Sequence, residues 1–450
     1  MTSERRAIAL NAACSKIGSG ATPRGGKESY KGGRTALIRS QNVYNEGFVR
    51  GGLVYISDEQ ASELRNVIVE PGDVLLNITG DSVARCCIVD SSILPARVNQ
   101  HVAIVRAERD VLDARYLRYL LVQPLMQAHL LSLASAGATR NALTKGMLES
   151  LVIEVPPLPE QRAIAHVLGT LDDKIELNRK MSETLEELAR TLFKSWFVDF
   201  DPVHAKAAGK KPFGMDDATA ALFPDSFEDS ELGPIPRGWR VAALGELTSM
   251  LTRGRAPSYS DEGLLILNQK CIRNGRVSFD KARRTEADSG RWDDRALAVG
   301  DVLVNSTGVG TLGRVAQVTW LPEPASFDTH VTALRAADNV DPTFFGVGQL
   351  MKERVYEALG EGSTGQTELS RGRIAAELVV VPPEIVQRRF GEVVGPFRER
   401  SSQTERESLT LAELRDTLLP KLLSGELRVP LDVTHAPTSK SEQLGLFGDH

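Results

Sequence analysis

A glycine-rich segment near the start of the sequence has the residue types of a phosphate-binding loop. Residues 18–28 contain four glycines and end in Lys27 and Glu28. A nucleotide-binding loop needs a glycine at the position of Ala21 and a Ser or Thr directly after the lysine. The sequence therefore disfavours a nucleotide site and leaves two interpretations, a mobile basic loop that contacts nucleic-acid phosphates or a plain surface loop.

Two other short segments match catalytic signatures, but the chain lacks the further motifs that such catalytic sites need. Residues 344–348 (FFGVG) fit a pattern of adenosylmethionine sites, but the chain has no Asn-Pro-Pro or Asp-Pro-Pro tetrapeptide to complete a methyltransferase. Residues 172–174 (DDK) have the acid-x-lysine spacing of metal-dependent nucleases, but they lie in a helical pattern, where a solvated helix face is the favoured interpretation. We therefore expect neither a catalytic site nor a metal site in this chain.

His101 and His330 occupy matching places in two similar segments, each directly before an apolar run. A catalytic histidine needs an acid and a nucleophile arranged around it, and the sequence offers no matched pair. A structural histidine is the favoured interpretation, and contact with a nucleic-acid base is the alternative.

Positive charge is concentrated in two places although the formal net charge is −5. Such clusters predict anion binding at two separate sites. The first cluster contains one acidic residue, Glu28; its basic members are Lys16, Arg24, Lys27, Lys31, Arg34 and Arg39. The second cluster contains two acidic residues, Asp261 and Glu262; its basic members are Arg253, Arg255, Lys270, Arg273 and Arg276.

The overall composition predicts a folded protein of a reducing cytoplasm. The 450 residues are 42% hydrophobic, and no apolar run is long enough to span a membrane. Four cysteines without a C-x-x-C pair favour neither a disulfide framework nor a zinc site. The apolar run 7–13 contains Asn11 and is too short for a secretion signal.

The chain contains two copies of one unit, which explains why the clusters come in pairs. The copies are recognised from three aligned pairs of segments, 71–80 with 299–308, 99–107 with 328–336, and 155–162 with 381–388. A repeat of this length indicates a duplicated domain rather than a solenoid.

Each copy is predicted to begin with an α+β domain and to end with a long helix. Short apolar runs between turn residues predict strands, and residues 113–133 predict a helix. The strand predictions are 67–69, 74–76, 86–89 and 102–105 in the first copy, and 264–267, 302–304 and 378–381 in the second.

Apolar residues recur at steps of four and three from Ile164 to Trp196, and again from Phe390 to Leu422, around a polar centre. This is a heptad seam, and the first helix should span about 50 Å. A helix of that length predicts an intramolecular coiled coil between the two copies; the alternative is that each helix packs on its own domain.

These patterns predict six segments with distinct roles. The two globular domains lie in residues 1–155 and 239–381, and each is followed by a helical spacer. The spacers are residues 156–200 and 382–427, the segment 201–238 is an extended linker, and 428–450 is a disordered tail.

The chain resembles the specificity subunit of type I restriction-modification enzymes, from about Ala9 to Leu427. The segments that carry this resemblance are 156–164 (PPLPEQRAI), 191–202 (TLFKSWFVDFDP), 222–227 (LFPDSF), 230–239 (SELGPIPRGW) and 418–427 (LLPKLLSGEL).

The resemblance implies two pseudo-symmetric target recognition domains separated by an antiparallel coiled coil. Each domain would read one half of a bipartite site in double-stranded DNA. The helices would dock two methyltransferase subunits, and translocase-nuclease subunits would join them. This chain would then be non-catalytic and hold no cofactor, because S-adenosylmethionine would bind the partner methyltransferase.

Residue chemistry supplies the DNA-binding candidates, since Arg and Lys suit phosphates whereas polar side chains suit base edges. A role in forming a turn is the alternative for each candidate. The phosphate candidates are Arg24, Lys27, Lys31 and Arg34, with Arg253, Arg255, Lys270 and Arg273 in the second copy. The base candidates are Gln41, Asn42, Asn77, Thr79, Arg140 and Asn141, with Asn268, Gln269, Asn305, Thr307, Gln366 and Thr367 in the second copy.

Two functions from other classes stay open at this point. One is a coiled-coil adaptor that binds proteins only, and the other is a nuclease or methyltransferase that acts alone. The missing catalytic signatures argue against the second.

Overall fold

The structure is a computed structural model, and it describes residues 5–23, 30, 32–135, 141–286, 292–361 and 368–430. The chain is organised as two units. The first unit joins Met1–Glu176 to Leu409–His450, and the second unit is Leu177–Ser408.

The first unit contains a mixed α+β domain followed by the start of a long helix. Its strands are β1 (Arg6–Ala9), β2 (Cys14–Ser19), β3 (Thr35–Ile38), β4 (Val43–Tyr44), β5 (Gly47–Phe48), β6 (Val54–Ile56), β7 (Val74–Asn77), β8 (Cys86–Ile88), β9 (Ala96–Val98), β10 (Val102–Ala107) and β11 (Val152–Val155). Its helices are α1 (Leu10–Ala13), α2 (Asp58–Glu63), α3 (Ala114–Val122), α4 (Pro124–Ser135) and α5 (Lys145–Glu149), and α6 (Leu158–Phe197) begins in it.

The second unit repeats this organisation after the remainder of α6. Its strands are β12 (Phe227–Ser230), β13 (Gly233–Pro236), β14 (Arg240–Ala243), β15 (Thr248–Arg253), β16 (Tyr259–Ser260), β17 (Leu264–Leu267), β18 (Ile272–Arg273), β19 (Arg276–Val277), β20 (Arg283–Thr285), β21 (Val302–Asn305), β22 (Val315–Gln317), β23 (Ala325–Phe327), β24 (Val331–Ala336) and β25 (Leu378–Val381). Its helices are α7 (Asp201–Ala207), α8 (Asp217–Ala221), α9 (Pro342–Leu350), α10 (Glu353–Ala358), α11 (Arg371–Ala376) and the start of α12 (Glu384–Ser424).

The sheet topology confirms the duplication. The first unit has a sheet of order β2-β10-β7-β8, and the second has β15-β24-β21-β22 in the same antiparallel pattern. The orders β6-β3-β9 and β20-β17-β23 also match, with one parallel pair in each. In the first unit β1 pairs antiparallel with β11, and in the second unit β14, the strand after the β12–β13 hairpin, pairs antiparallel with β25, which closes each α+β domain.

Two predictions of local structure are wrong, for identifiable reasons. Residues 67–69 form the end of a 3-10 turn and a single bridge at Ile68 rather than a strand. The turn at Gly72, which has φ of +89°, ends the segment before a ladder can form. The predicted helix 113–133 is divided into α3 and α4 at Gln123, because the following Pro124 holds Gln123 in an extended conformation.

The predicted extended linker 201–238 is instead folded. It contains α7, α8 and the β12–β13 hairpin, and its residues Val203, Phe223 and Ile235 are buried in the core of the second unit. The Asp and Gly residues whose frequency favoured a linker instead begin and end helices in this segment. Asp216 caps α8 by accepting a hydrogen bond from the Thr219 amide at 2.7 Å, and Gly209 follows α7 with φ of +67°.

Each unit contains antiparallel packing between its parts of α6 and α12. In the second unit Phe193 packs edge-on against Phe390, and Asn178 donates to Glu407 at 2.9 Å. In the first unit Ile164 and Leu168 share a core with Leu422, and this core includes the α+β domain. The predicted helix pairing is therefore present, and the first helix packs on its own domain as well.

The polar centre of the heptad seam is buried. Ser182 and Thr404 are hydrogen-bonded through their hydroxyl groups at 2.7 Å, and both side chains lie in the second unit. A buried polar pair favours one register of two helices, because any slip leaves its members without partners.

A glutamine in the first turn of each long helix joins that helix to its domain. The Gln161 side chain accepts from the Asp113 amide at 3.0 Å and donates to the Pro156 carbonyl at 2.9 Å. Gln387 makes the same two bonds, to the Asp341 amide at 3.2 Å and the Pro382 carbonyl at 2.9 Å. This is a structural reason for the repeat of Pro-Pro and Gln in the sequence.

A buried ion pair is also repeated. Asp73 accepts from Arg106 at 2.7 Å, and Asp301 accepts from Arg335 at the same distance. Both carboxylates are almost completely buried, and each also accepts a backbone amide, from Glu70 or Ala298.

Replacement of the buried acid should destabilise its unit. Asp301→Ala should lower the free energy of unfolding by about 2–3 kcal/mol, since it removes a charged hydrogen-bond acceptor from the interior while the partly exposed arginine can regain water. Urea unfolding followed by tryptophan fluorescence reads the second unit, because all four tryptophans lie in it. Glu323→Ala, which removes the more exposed ion pair with Arg284, is the matched control and should cost less than about 1 kcal/mol. Equal losses for both variants would contradict the assigned role of Asp301.

Candidate nucleic-acid interface

The short 3-10 turn that follows β3 in the first unit and β17 in the second is held in the same way in both units. The Asn77 side chain, at the end of β7, donates to the Ser40 carbonyl at 2.9 Å, and Asn305, at the end of β21, donates to the Gln269 carbonyl at 3.0 Å. Both asparagines are fully buried. The prediction that they read bases is therefore wrong, because their amides already bind the backbone of the protein.

Asn42 and Asn268 are also wrongly predicted as base readers. Asn42 is buried and donates to the Val49 carbonyl at 2.8 Å. Asn268 donates to the Lys281 carbonyl at 2.8 Å and accepts from the Lys270 amide. Asparagine suits such turns because its short amide can bond nearby backbone groups.

The tips of these two turns differ between the units. Gln41 is the exposed residue of the turn Ser40–Asn42, and Lys270 is the exposed residue of the turn Gln269–Cys271. The Gln41 amide donates to the Gly52 carbonyl at 3.2 Å. A glutamine and a lysine at equivalent exposed positions can contact different groups on a partner.

A threonine–histidine pair lies at the matching strand ends of both units. Thr79 Oγ1 is 2.5 Å from His101 Nδ1, and Thr307 Oγ1 is 2.6 Å from His330 Nδ1. The backbone amide of each histidine donates to the side chain two residues earlier, Asn99 at 3.0 Å or Asp328 at 2.9 Å. Burial raises the pKa of Asp328, while its hydrogen bond from the His330 amide opposes that shift.

In each unit the segment that follows the helices of the α+β domain contacts the threonine of the threonine–histidine pair. In the first unit Thr79 forms a bridge with Ala142, and the Gly80 amide donates to the Asn141 carbonyl at 3.1 Å. In the second unit Thr307 forms the same kind of bridge with Glu368. The structure thus brings the predicted residues Thr79 and Asn141 together and joins to them a histidine that the DNA-binding candidates omit.

The arginines of the second cluster are largely engaged within the protein. Arg253 pairs with Glu368 and donates to the Leu369 carbonyl at 3.0 Å. Arg255 pairs with Asp294 at 2.8 Å, whereas Arg273 is exposed on β18. These contacts fix the directions of Arg253 and Arg255 at the rim of the sheet.

Two further arginines lie beside Arg253, and the sequence patterns did not indicate them as DNA-binding candidates. Arg295 and Arg371 line an open cavity of about 840 Å³ together with Arg253 and Glu368. Arg295 donates to the Arg253 carbonyl at 3.0 Å. These residues are far from Arg253 in sequence, so no local cluster of charge could have indicated them.

The first basic cluster is described only in part. Arg34 is exposed, Lys16 donates to the Asn66 carbonyl at 2.6 Å, and Arg39 donates to the Gly52 carbonyl at 2.6 Å. The remaining candidates lie outside the described residues; they are Arg24, Lys27, Lys31, Arg140, Gln366 and Thr367.

The segments with catalytic signatures have structural surroundings. Residues 344–348 lie within α9 and are buried. Asp172 is not part of a solvated helix face as predicted, because it accepts from Arg118 at 2.7 Å and from Arg415 at 2.8 Å. It joins α6 to both α3 and α12 within the first unit.

Burial raises the pKa of the Cys86 and Cys87 thiols to about 12, which disfavours the reactive thiolate. Within the described ranges, no three His, Cys, Asp or Glu side chains are grouped as they would be around a metal ion. Among these same residues, no helix combines the length and hydrophobicity needed to cross a membrane.

Comparisons with known proteins agree with this geometry. A family model for the type I restriction-modification DNA specificity domain matches residues 15–187. The chain is 26% identical over 431 residues to the type I restriction enzyme MjaIX specificity subunit of Methanocaldococcus jannaschii, covering 92% of this chain and 91% of that protein. It is 24% identical over 441 residues to the HindI specificity subunit of Haemophilus influenzae, covering 87% and 94%.

The fold is similar to that of a solved relative. The crystal structure of the type I restriction-modification S subunit from M. genitalium superposes with a TM-score of 0.57 at 16% identity, covering 94% of this chain and 96% of that one. The duplicated domains and the paired helices thus occur in a chain that is similar, along almost its whole length, to specificity subunits of type I restriction enzymes, and its residues 15–187 match the DNA specificity domain of these systems.

Proposed function

We propose that this chain reads a bipartite site in double-stranded DNA, with one half recognised by each of its two α+β domains. The observation that carries the proposal is the pair of matching turns whose exposed tips differ, Gln41 in one unit and Lys270 in the other. Equal scaffolds with different tips suit two half-sites of different sequence, because side-chain contacts to base edges specify sequence.

The long helices are the proposed docking surface for two methyltransferase subunits, which translocase-nuclease subunits then join. The heptad seam and its buried polar centre occupy one side of each helix, and exposed apolar side chains on α6 (Leu177, Leu188) and α12 (Leu409, Leu414) are suited to a protein partner. The adenine to be modified must leave the duplex and enter a catalytic pocket, and S-adenosylmethionine must be held there. We assign both to the methyltransferase subunit.

The test combines the purified chain with its methyltransferase partner and maps methylated adenines in DNA. We expect site-specific methylation by the assembled complex and none by the chain alone. Lys270→Ala should relax discrimination at one position of one half-site, with a cost of about 1–3 kcal/mol, and Gln41→Ala should do so in the other half-site.

Glu286→Ala, a change at an exposed residue after β20, is the control and should leave the methylated sequence unaltered. Methyl transfer by the chain alone would overturn the non-catalytic assignment. Unchanged specificity in both tip variants would remove the turns from the proposed interface.

A further inference from the structure

The threonine–histidine pair is kept in both domains although the surrounding side chains differ. The two Oγ1–Nδ1 distances, 2.5 Å and 2.6 Å, agree closely. Between these units the neighbouring residue changes from Gln100 to Thr329, and the residue before it changes from Asn99 to Asp328. The pair thus persists although the two residues before each histidine change, within segments that otherwise repeat between the copies.

Two domains that read half-sites of different sequence both contact the same phosphodiester backbone. Every half-site has the same phosphodiester backbone, whereas its base edges change with sequence. A contact needed by both domains is therefore best suited to a phosphate, and contacts that differ between them are best suited to bases.

The geometry orients each histidine ring for such a contact. Thr79 or Thr307 engages Nδ1, and the backbone amide of the histidine is tied to Asn99 or Asp328. If the threonine hydroxyl donates to Nδ1, the proton lies on Nε2 at the opposite side of the ring. A fixed imidazole N–H is a suitable donor to an anionic phosphate oxygen.

His330 is exposed, and His101 is partly exposed. The Gln100 amide nitrogen lies 2.9 Å from His101 Nε2 and donates to it, so this ring nitrogen accepts while Gln100 is in place and takes up the ring proton when a phosphate replaces Gln100. Gln100 is itself an exposed side chain, so a phosphate can replace it at Nε2.

We propose that His101 and His330 each donate an Nε2–H hydrogen bond to a backbone phosphate, one in each half-site, and that Thr79 and Thr307 position the rings. This inference rests on the proposed function and adds two phosphate-binding residues to it. The pair would fix the position of each domain along the DNA and would not read the base sequence.

The experiment uses the complete complex with its methyltransferase subunits and a DNA duplex that contains the recognised site. Single neutral methylphosphonates replace the phosphates one at a time across each half-site. For the unmodified complex, one position in each half-site should weaken binding about tenfold, the expected effect of losing a hydrogen bond to a charged group.

His101→Ala should lower the affinity for the unmodified duplex about tenfold and abolish the methylphosphonate effect at one position in one half-site only. His330→Ala should do the same in the other half-site. His129→Ala, at an exposed histidine on α4, is the matched control and should change neither quantity.

Two further variants separate a phosphate contact from a purely structural role. His101→Gln retains an N–H donor and should recover part of the affinity, and Thr79→Val should weaken the methylphosphonate effect without removing it. Urea unfolding shows whether each variant is folded. A folded His101→Gln complex that binds no better than His101→Ala would contradict the donor role.

The outcomes distinguish this inference from the function on which it rests. A wild-type complex with no preference for any site would overturn the proposed function itself. Site-specific binding with undiminished affinity in both histidine variants would overturn only the inference. A changed base preference at one position would also overturn it, because it would assign the histidines to base reading.

Discussion

Exchange of residues 6–155 for the equivalent domain of a related specificity subunit should change one half of the methylated site completely. The other half and the spacing should stay the same. The first domain has one hydrophobic core of its own and shares a second with α6 and α12, and its first and last strands, β1 and β11, pair with each other. Distant sites contribute almost additively, so the second domain should not be affected.

The success of this exchange depends on contacts that cross its junction within the first unit. Gln161 accepts from the Asp113 amide, and Asp172 accepts from Arg118. The incoming domain should therefore present a backbone amide to Gln161 at the start of α3 and keep an arginine at position 118.

Methylome mapping of the assembled complex measures the result. Exchange of 240–381 is the reciprocal control and should change only the other half-site. A folded chimera in which both half-sites change would show that the two domains do not read independently.

Trp196→Ala should have the largest effect on stability, a loss of about 3–5 kcal/mol in the second unit. Trp196 is buried and packs edge-on against Phe223 at 5.3 Å and Phe390 at 5.7 Å between ring centroids. It joins α6 and α12 to the segment 201–238. Its removal should leave a cavity that these rigid elements cannot fill.

Urea unfolding followed by circular dichroism measures this loss. Trp196→Phe keeps an aromatic ring at the position and should cost less. Phe213→Ala removes a fully exposed aromatic residue of the same unit and should change the free energy of unfolding by about 0.5 kcal/mol or less. If Trp196→Ala is no more harmful than Phe213→Ala, the aromatic cluster does not hold the helices to this unit.

The sequence by itself determined the duplication, the α+β class and the two long helices. Each of these depends on patterns that recur along the chain. Residues 71–80 and 299–308 repeat because both encode the same central strand and turn, and the steps of four and three in α6 and α12 follow from the geometry of a helix. Such periodic signals average over many residues, so one exception does not remove them.

The tertiary structure decided which polar residues are available to a partner. Asn77 and Asn305 have the composition of base readers, but their turns fold so that both amides bind backbone carbonyls inside the domain. Residues 201–238 have a linker-like composition, but the buried side chains of Val203 and Phe223 place them in the core. Thr79 and His101 are 22 residues apart in the chain and become partners only because β7 and β10 pair side by side. Burial and pairing between distant segments are properties of the folded chain, so local sequence patterns could indicate these residues without assigning their roles.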